Sequence, residues 1–359
     1  EYVNKKVNNS DEKIYIFLDE IQKVQNWEEV VNAFRVDFNS DIYITGSNAY
    51  LLSSEYATYL SGRYVEIKML PLSFKEFLYF NNYKVEKEIN ALGNDKFEIF
   101  DYKGLKVEIK EAFEYYLHFG AMPQIAELGL EQEKVLLLFD GIYSTVVVKD
   151  ILEREAIKGR NKVTDMLLLK KIVMYLADNI GNNLSTSNVA KVLANEKLVD
   201  RKTTSVNTIQ TYIQSLLEAY MFYEIKRFDI KGKQYLKTLG KYYIVDLGLR
   251  NYLLGFRNRD SGHIIENIVY FELLRRGYDV AIGKVGDLEI DFIATKVNSK
   301  VYVQVTESML EESTREREIK PLKKIDDNYE KIILTLNCGL EKDYDGIKVY
   351  NLIEWLLGE

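Results

Sequence analysis

Ile14-Tyr-Ile-Phe-Leu-Asp-Glu20 is an apolar run closed by two acids. Its β-branched and aromatic residues describe a buried strand, and the acids then stand at the strand's carboxyl end. Trp27–Phe38 follows with helical spacing, and Ile42-Tyr-Ile-Thr45 is a second short apolar run. Two strand-then-helix units in succession predict a parallel, buried sheet. Ligands of open parallel sheets sit beyond the carboxyl ends of the strands, which is where Asp19 and Glu20 fall. Taken alone, the acid pair reads equally well as a solvated turn.

The whole chain has 359 residues, 47% apolar and 29% charged, with a net charge of −7. That length predicts two or three well-packed domains, and the acidic balance excludes a wholly basic nucleic-acid binder. One cysteine, Cys338, excludes an internal disulfide framework or a cysteine zinc cluster and fits a reducing, cytoplasmic setting. Its position predicts a small buried apolar residue near a strand end. The two histidines, His118 and His263, lack metal-ligand spacing. No apolar run approaches the roughly 20 residues of a membrane span, so no membrane partner is expected. The chain opens on Glu-Tyr-Val and reaches a core strand almost at once, which predicts a natural segment ahead of Glu1.

Four regions separate into an α/β multi-domain chain. Residues 1–80 carry the strand–helix units of a parallel sheet that, with its terminal acids, resembles part of a P-loop NTPase core. Residues 81–180 are helical in period, a lid or linker with a break at Gly120-Ala-Met-Pro123. Residues 181–250 have the pattern of a winged helix-turn-helix. Residues 256–359 return to α/β, with strands near Tyr278–Ile282, Glu289–Ala294, Val301–Val305 and Lys331–Leu336.

In nucleotide hydrolases built on such a sheet, the first acid holds Mg²⁺ and the second polarises the attacking water. Here those are Asp19 and Glu20. Gly46-Ser47-Asn48 offers a hydroxyl and an amide at the same edge, suited to sensing a γ-phosphate. Leu60-Ser-Gly-Arg63 then supplies a fixed cation for phosphoryl charge, in its own subunit or a neighbour's; capping of helix-end carbonyls is the alternative for Arg63.

Leu18-Asp-Glu-Ile-Gln22, Thr45-Gly-Ser-Asn48, Leu60-Ser-Gly-Arg63 and Pro71-Leu-Ser-Phe-Lys-Glu-Phe77 occur in the order of a prokaryotic family of archaeal-type AAA+ ATPases. The resemblance runs on through Tyr116-Leu-His-Phe-Gly-Ala-Met-Pro123 and Val148-Lys-Asp-Ile-Leu-Glu-Arg154 and covers essentially the whole chain. It implies ATP and Mg²⁺ as cofactors, a Walker B role for Ile14–Glu20, and a C-terminal nuclease-like domain of unknown function. Family members also carry G-x-x-x-x-G-K-[ST], the loop that cradles the phosphates. These 359 residues contain no such motif; Gly283-Lys284-Val285, Gly232-Lys233 and Gly240-Lys241 lack the Ser or Thr that must follow. The chain as it stands is therefore expected to bind ATP poorly.

Within 181–250, Leu184–Leu193 reads as a helix capped by Ser185 or Ser187, and Ser205–Leu217 as a second helix. A hairpin wing follows over Phe222–Val245, with Lys226, Arg227, Lys231, Lys233, Lys237 and Lys241. The second helix would offer Asn207, Thr208, Gln210, Thr211 and Gln214 to a DNA groove, along with Thr203 and Thr204, while wing cations such as Lys231 and Lys233 meet phosphates. The same surfaces equally suit a protein partner or self-association.

Near the C-terminus, Glu266 on a helix, Glu289 and Asp291 on a strand, and Gln304-Val-Thr306 on the next strand resemble the PD-(D/E)XK, or restriction-endonuclease-like, fold. That resemblance implies a Mg²⁺ site at Glu266, Asp291 and Gln304. Thr306 stands where the family places Lys, and Lys296 and Lys300 lie in the wrong turn to replace it. An intact nuclease, a metal-binding remnant and a structural or partner-binding domain all remain open. Thr314-Arg-Glu-Arg-Glu-Ile319 reads as the opening of a salt-bridged surface helix, with Arg315 and Arg317 reaching Glu311, Glu312 or the Asp291 face.

Overall fold

The computed structural model describes residues 13–21, 24–46, 63–89, 95–145, 151–152, 163, 165–195, 205–257, 261–339 and 341–358. They fall into two compact units, residues 1–68 with 218–220, and residues 69–217 with 221–359.

In the first unit, β1 (Ile14–Leu18) pairs in parallel with β2 (Ser40–Ile44), with Leu18 opposite Ile44, as the sequence predicts. Helix α1 (Trp27–Asp37) covers one face. Trp27 and Val31 are buried there against Leu18, Ile21, Ile42 and Ile44. The expectation of burial on both faces is not met: Tyr15, Phe17 and Tyr43 are exposed, and the Phe17 and Tyr43 rings stack at 4.9 Å. The reason lies in strict alternation, which sends every second residue to the face opposite α1.

The second unit opens with α2 (Phe74–Phe80), closed at its start by a reciprocal capping box between Ser73 and Glu76. Residues 84–107 then depart from the helical period assigned to 81–180. They form an antiparallel sheet of β3 (Lys84–Ile89), β4 (Asp95–Phe100) and β5 (Lys106–Val107). Cross-strand pairs such as Val85 with Ile99 and Lys87 with Phe97 hold it, and Lys96 and Lys106 both pair with Glu98. Helices α3 (Ile109–Phe119), α4 (Gln124–Glu127), α5 (Gln132–Ile142), α6 (Met166–Asp178), α7 (Thr186–Asn195) and α8 (Val206–Glu218) follow. The predicted break at Gly120 is a helix end, with Gly120 at φ +83°.

The hairpin β6 (Phe222–Asp229) and β7 (Gln234–Ile244) is joined to Leu184 by a two-bond bridge at Gly240. It does not stand free. β6 runs parallel to β8 (Asp279–Val285), so the hairpin becomes the edge of a sheet ordered β12-β13-β11-β10-β9-β8-β6-β7. The other members are β9 (Leu288–Lys296), β10 (Ser299–Ser308), β11 (Glu330–Asn337), β12 (Asp343–Tyr344) and β13 (Ile347–Asn351). Helix α9 (Leu247–Leu254) leads into α10 (Ser261–Arg275), and α11 (Glu312–Lys323) and α12 (Leu352–Leu357) complete the chain. The break placed between 250 and 256 thus falls between strands of one continuous sheet. Asn267 of α10 binds edge strand β7 through its side-chain amide, accepting from Ile244 N and donating to Ile244 O, both at 2.9 Å. Among the described residues no helix is long and apolar enough to cross a membrane.

Candidate functional site

Among the described residues, a dense gathering of ionisable side chains is built on β7, β9 and α10. Along β7, period-two alternation turns Lys241 and Tyr243 to one face. That face meets Glu266, one of the buried residues of α10. Lys241 Nζ lies 3.2 Å from Glu266 Oε2, 3.1 Å from Glu289 Oε1 and 3.7 Å from Asp291 Oδ1. Tyr243 donates its hydroxyl to Glu266 Oε2 at 2.9 Å, and His263 Nδ1 lies 3.4 Å from Glu266 Oε1. Asn183 donates to Glu289 at 2.7 Å, while Arg227 Nε stands 4.0 Å from the same carboxylate. Gly181, at φ +72°, lets the loop pass close: a Cβ there would meet His263 Nδ1 at 2.6 Å.

The second row comes from β10 and α11. Asp291 Oδ2 accepts from Val305 N at 2.8 Å, and Gln304 Nε2 donates to Glu318 Oε2 at 2.7 Å. Lys241, Glu266, Asp291, Gln304, Thr306 and Glu318 are all buried, whereas Glu289 is partly open to solvent. Burial pulls the Lys241 pKa down, but Glu266, Asp291 and Glu289 outweigh it and hold the ammonium above its ordinary range. For Glu266, burial is again the largest influence, yet His263, Lys241 and Tyr243 together keep its pKa low. Burial and the neighbouring Glu266 charge push Asp291 well above the usual carboxylate range. Lys241 therefore pairs most closely with Glu266 and Glu289, and Asp291 is the carboxyl whose charged form burial disfavours most.

The structure brings Glu266, Glu289, Asp291 and Gln304 together. Two expectations are corrected. Lys241, assigned to a phosphate-facing wing, is 4% exposed and points into the carboxylates, because the hairpin joins the sheet instead of projecting from it. Arg315 and Arg317 do not reach Asp291: Arg315 caps the carbonyls of Met309 and Leu310, and Arg317 pairs with the adjacent Glu318. Lys296 and Lys300 are held elsewhere, over the rings of Tyr278 and Tyr302. Cys338 is half-buried just past β11 beside a core cluster, and burial raises its thiol pKa. Among the described residues no group of three His, Cys, Asp or Glu side chains converges closely enough to hold a metal ion. The sequence reading missed Lys241 as a site residue. The available signal was a lysine opening the apolar run Tyr242-Tyr243-Ile244, since a buried ammonium requires carboxylate partners.

In the first unit, Asp19 and Glu20 meet at Thr45. The Thr45 hydroxyl donates to Asp19 Oδ1, Glu20 N lies 3.4 Å from the same hydroxyl, and Thr45 N donates to Leu18 O at 2.9 Å. The hydroxyl that the described structure places at this edge is Thr45; Ser47 and Asn48 lie outside the described residues. Arg63 is exposed. On α8, Asn207, Gln210 and Gln214 are exposed along one face, and Thr208 and Thr211 are half-buried beside them. Lys231 and Lys233 are exposed at the β6–β7 turn, and Thr203 and Thr204 lie outside the described residues.

Residues 1–78 match an AAA domain, and residues 110–260 match a domain of unknown function. An uncharacterized protein of Haemophilus influenzae is 40% identical over 355 residues, 99% of this chain and 80% of that protein. An uncharacterized protein of Methanocaldococcus jannaschii is 32% identical over 342 residues, 91% of this chain and 70% of that protein. A second protein of that archaeon is 29% identical over 195 residues, covering 39% of its own length.

Proposed function

The chain belongs to a family of AAA-domain proteins with bacterial and archaeal members, and from that premise we propose an ATP-dependent switch acting on a nucleic-acid or protein target. The observation that carries the reading is the parallel β1–β2 pair, whose carboxyl edge presents Asp19 bonded to Thr45 inside the AAA-matched segment. With Mg²⁺ and ATP bound, Asp19 would hold the cation, Glu20 would orient the attacking water, and Arg63 would neutralise phosphoryl charge. Ser47 and Asn48 would read the γ-phosphate. ATP supplies the free-energy difference between the two states of the switch.

The test is steady-state ATP turnover by the full-length protein and its Glu20→Gln variant. Loss of the water-orienting carboxylate should cut turnover by about 100-fold or more while leaving nucleotide binding within about twofold. Equal turnover in the two proteins would remove the hydrolytic role of this edge.

A second reading, a DNA-binding regulator without an enzymatic role, is favoured by the exposed polar face of α8 and the exposed Lys231 and Lys233. α7, α8 and the β6–β7 hairpin would then act as a winged helix, with Asn207, Gln210 and Gln214 facing bases and the two lysines facing phosphates. A mobility-shift titration against salt tests it. Reversing both lysines to glutamate should weaken binding and flatten the slope of log affinity against log salt by about 2. An unchanged slope would exclude these lysines from phosphate contact.

A further inference from the structure

Glu266, Asp291 and Gln304 fall where the nuclease resemblance places a divalent cation, yet their contacts do not fit one. A Mg²⁺ ion needs oxygen ligands at about 2.0–2.1 Å in near-octahedral order. The Lys241 ammonium already stands among the oxygens in question, within 3.1–3.7 Å of three carboxylates. Two like charges cannot share that space. Several of the other ligand atoms are engaged as well. Glu266 Oε2 takes both Lys241 and the Tyr243 hydroxyl, which uses its two lone pairs. Asp291 Oδ2 accepts from Val305 N at 2.8 Å. Gln304 turns its carbonyl oxygen to Asp291 N at 3.3 Å and its amide to Glu318 at 2.7 Å.

We propose that the Lys241 ammonium takes the place of the divalent cation, making this a lysine-closed carboxylate centre that needs no metal. Its role is to lock the β6–β7 hairpin onto α10 and β9. Lys241 and Tyr243 are neighbours on one strand face, and both bind Glu266, so the lock engages two successive positions of the edge strand. Removing the ammonium should leave carboxylates facing one another with a vacant centre, and a divalent ion is the natural occupant.

The experiment titrates Mn²⁺ into the full chain and its Lys241→Met variant, following free ion by electron paramagnetic resonance and melting temperature in parallel. The unaltered chain should show no stoichiometric binding. Lys241→Met should bind one ion per chain, at least about tenfold tighter than the unaltered chain, and gain melting temperature from Mn²⁺ alone. If Lys241→Met fails to fold, Lys241→Gln serves as the second variant, and Mn²⁺ should restore folding to either. One Mn²⁺ bound by the unaltered chain and lost in Glu266→Gln would overturn the proposal, making Lys241 the neighbour of a true metal centre. Variants that fold, or stay unfolded, with no response to Mn²⁺ would overturn it equally.

Discussion

Gly248→Ala should lower the melting temperature by about 5 °C, a large steric effect for a single methyl group. A Cβ at Gly248 would stand 2.1 Å from the Phe119 carbonyl oxygen, 2.7 Å from its carbon and 2.7 Å from Phe139 Cε2. Gly248 lies in the first turn of α9, and Phe119 ends α3, so the clash is with backbone at a helix–helix joint. A flexible side chain could yield, whereas a carbonyl held at a helix end cannot. Overpacking a core costs roughly 1–3 kcal/mol, and a backbone clash belongs at or beyond the upper end. About 3 kcal/mol converts to roughly 5 °C for a unit of this size. Gly141, inside α5 with nothing within 4 Å of its Cβ position, is the control. Its alanine variant should be neutral or slightly stabilising, because alanine is the better helix former. Thermal melts of the two variants side by side check this; comparable losses in both would mean that the joint adapts.

How much of this was legible beforehand depends on whether a residue's partner lies nearby in sequence or across the sheet. β1, β2, α1 and the C-terminal strands were legible because each is an uninterrupted apolar run or a helical stripe ended by charged or turn residues. Lys84-Val-Glu-Lys-Glu-Ile89 was not: its charges mask a period-two pattern, and Glu98, which pairs with Lys96 and Lys106, becomes a strand residue only once β4 has two neighbours. Lys241 was harder still. The hairpin lysines look alike in sequence, and only the pairing of β6 with β8 decides which of them faces Glu266 and which faces water. In the first unit, the strand ending at Asp19 and Glu20 was legible from its terminal acids, whereas the bond from Thr45, the last residue of the second apolar run, to Asp19 joins two strands and was not.

Asp246 is a place where pH should act on stability. It caps α9, accepting from Leu249 N at 3.0 Å through Oδ1 and from Ala121 N at 2.6 Å through Oδ2. Burial is the dominant influence and raises its pKa from 3.8 to about 6, against the opposing bonds from the Ala121, Leu249 and Gly248 amides. The folded state therefore holds this proton more tightly than the unfolded chain does. Its contribution to stability is fully present below about pH 4 and is lost as pH rises through about 6. Two pKa units correspond to about 3 kcal/mol. Tyr116, which lines the same small cavity, is held by burial well above that window. Other carboxylates titrate across it, so the difference between the unaltered chain and Asp246→Asn is the quantity to measure. Asparagine still caps a helix but presents an amine to one of the two backbone donors, a cost that does not vary with pH. Denaturant unfolding from pH 4 to 8 should show the asparagine variant gaining on the unaltered chain by about 3 kcal/mol, with most of the change between pH 4 and 6. A difference that stays flat across that range would mean Asp246 is ionised throughout, its three amide bonds having fully offset the burial.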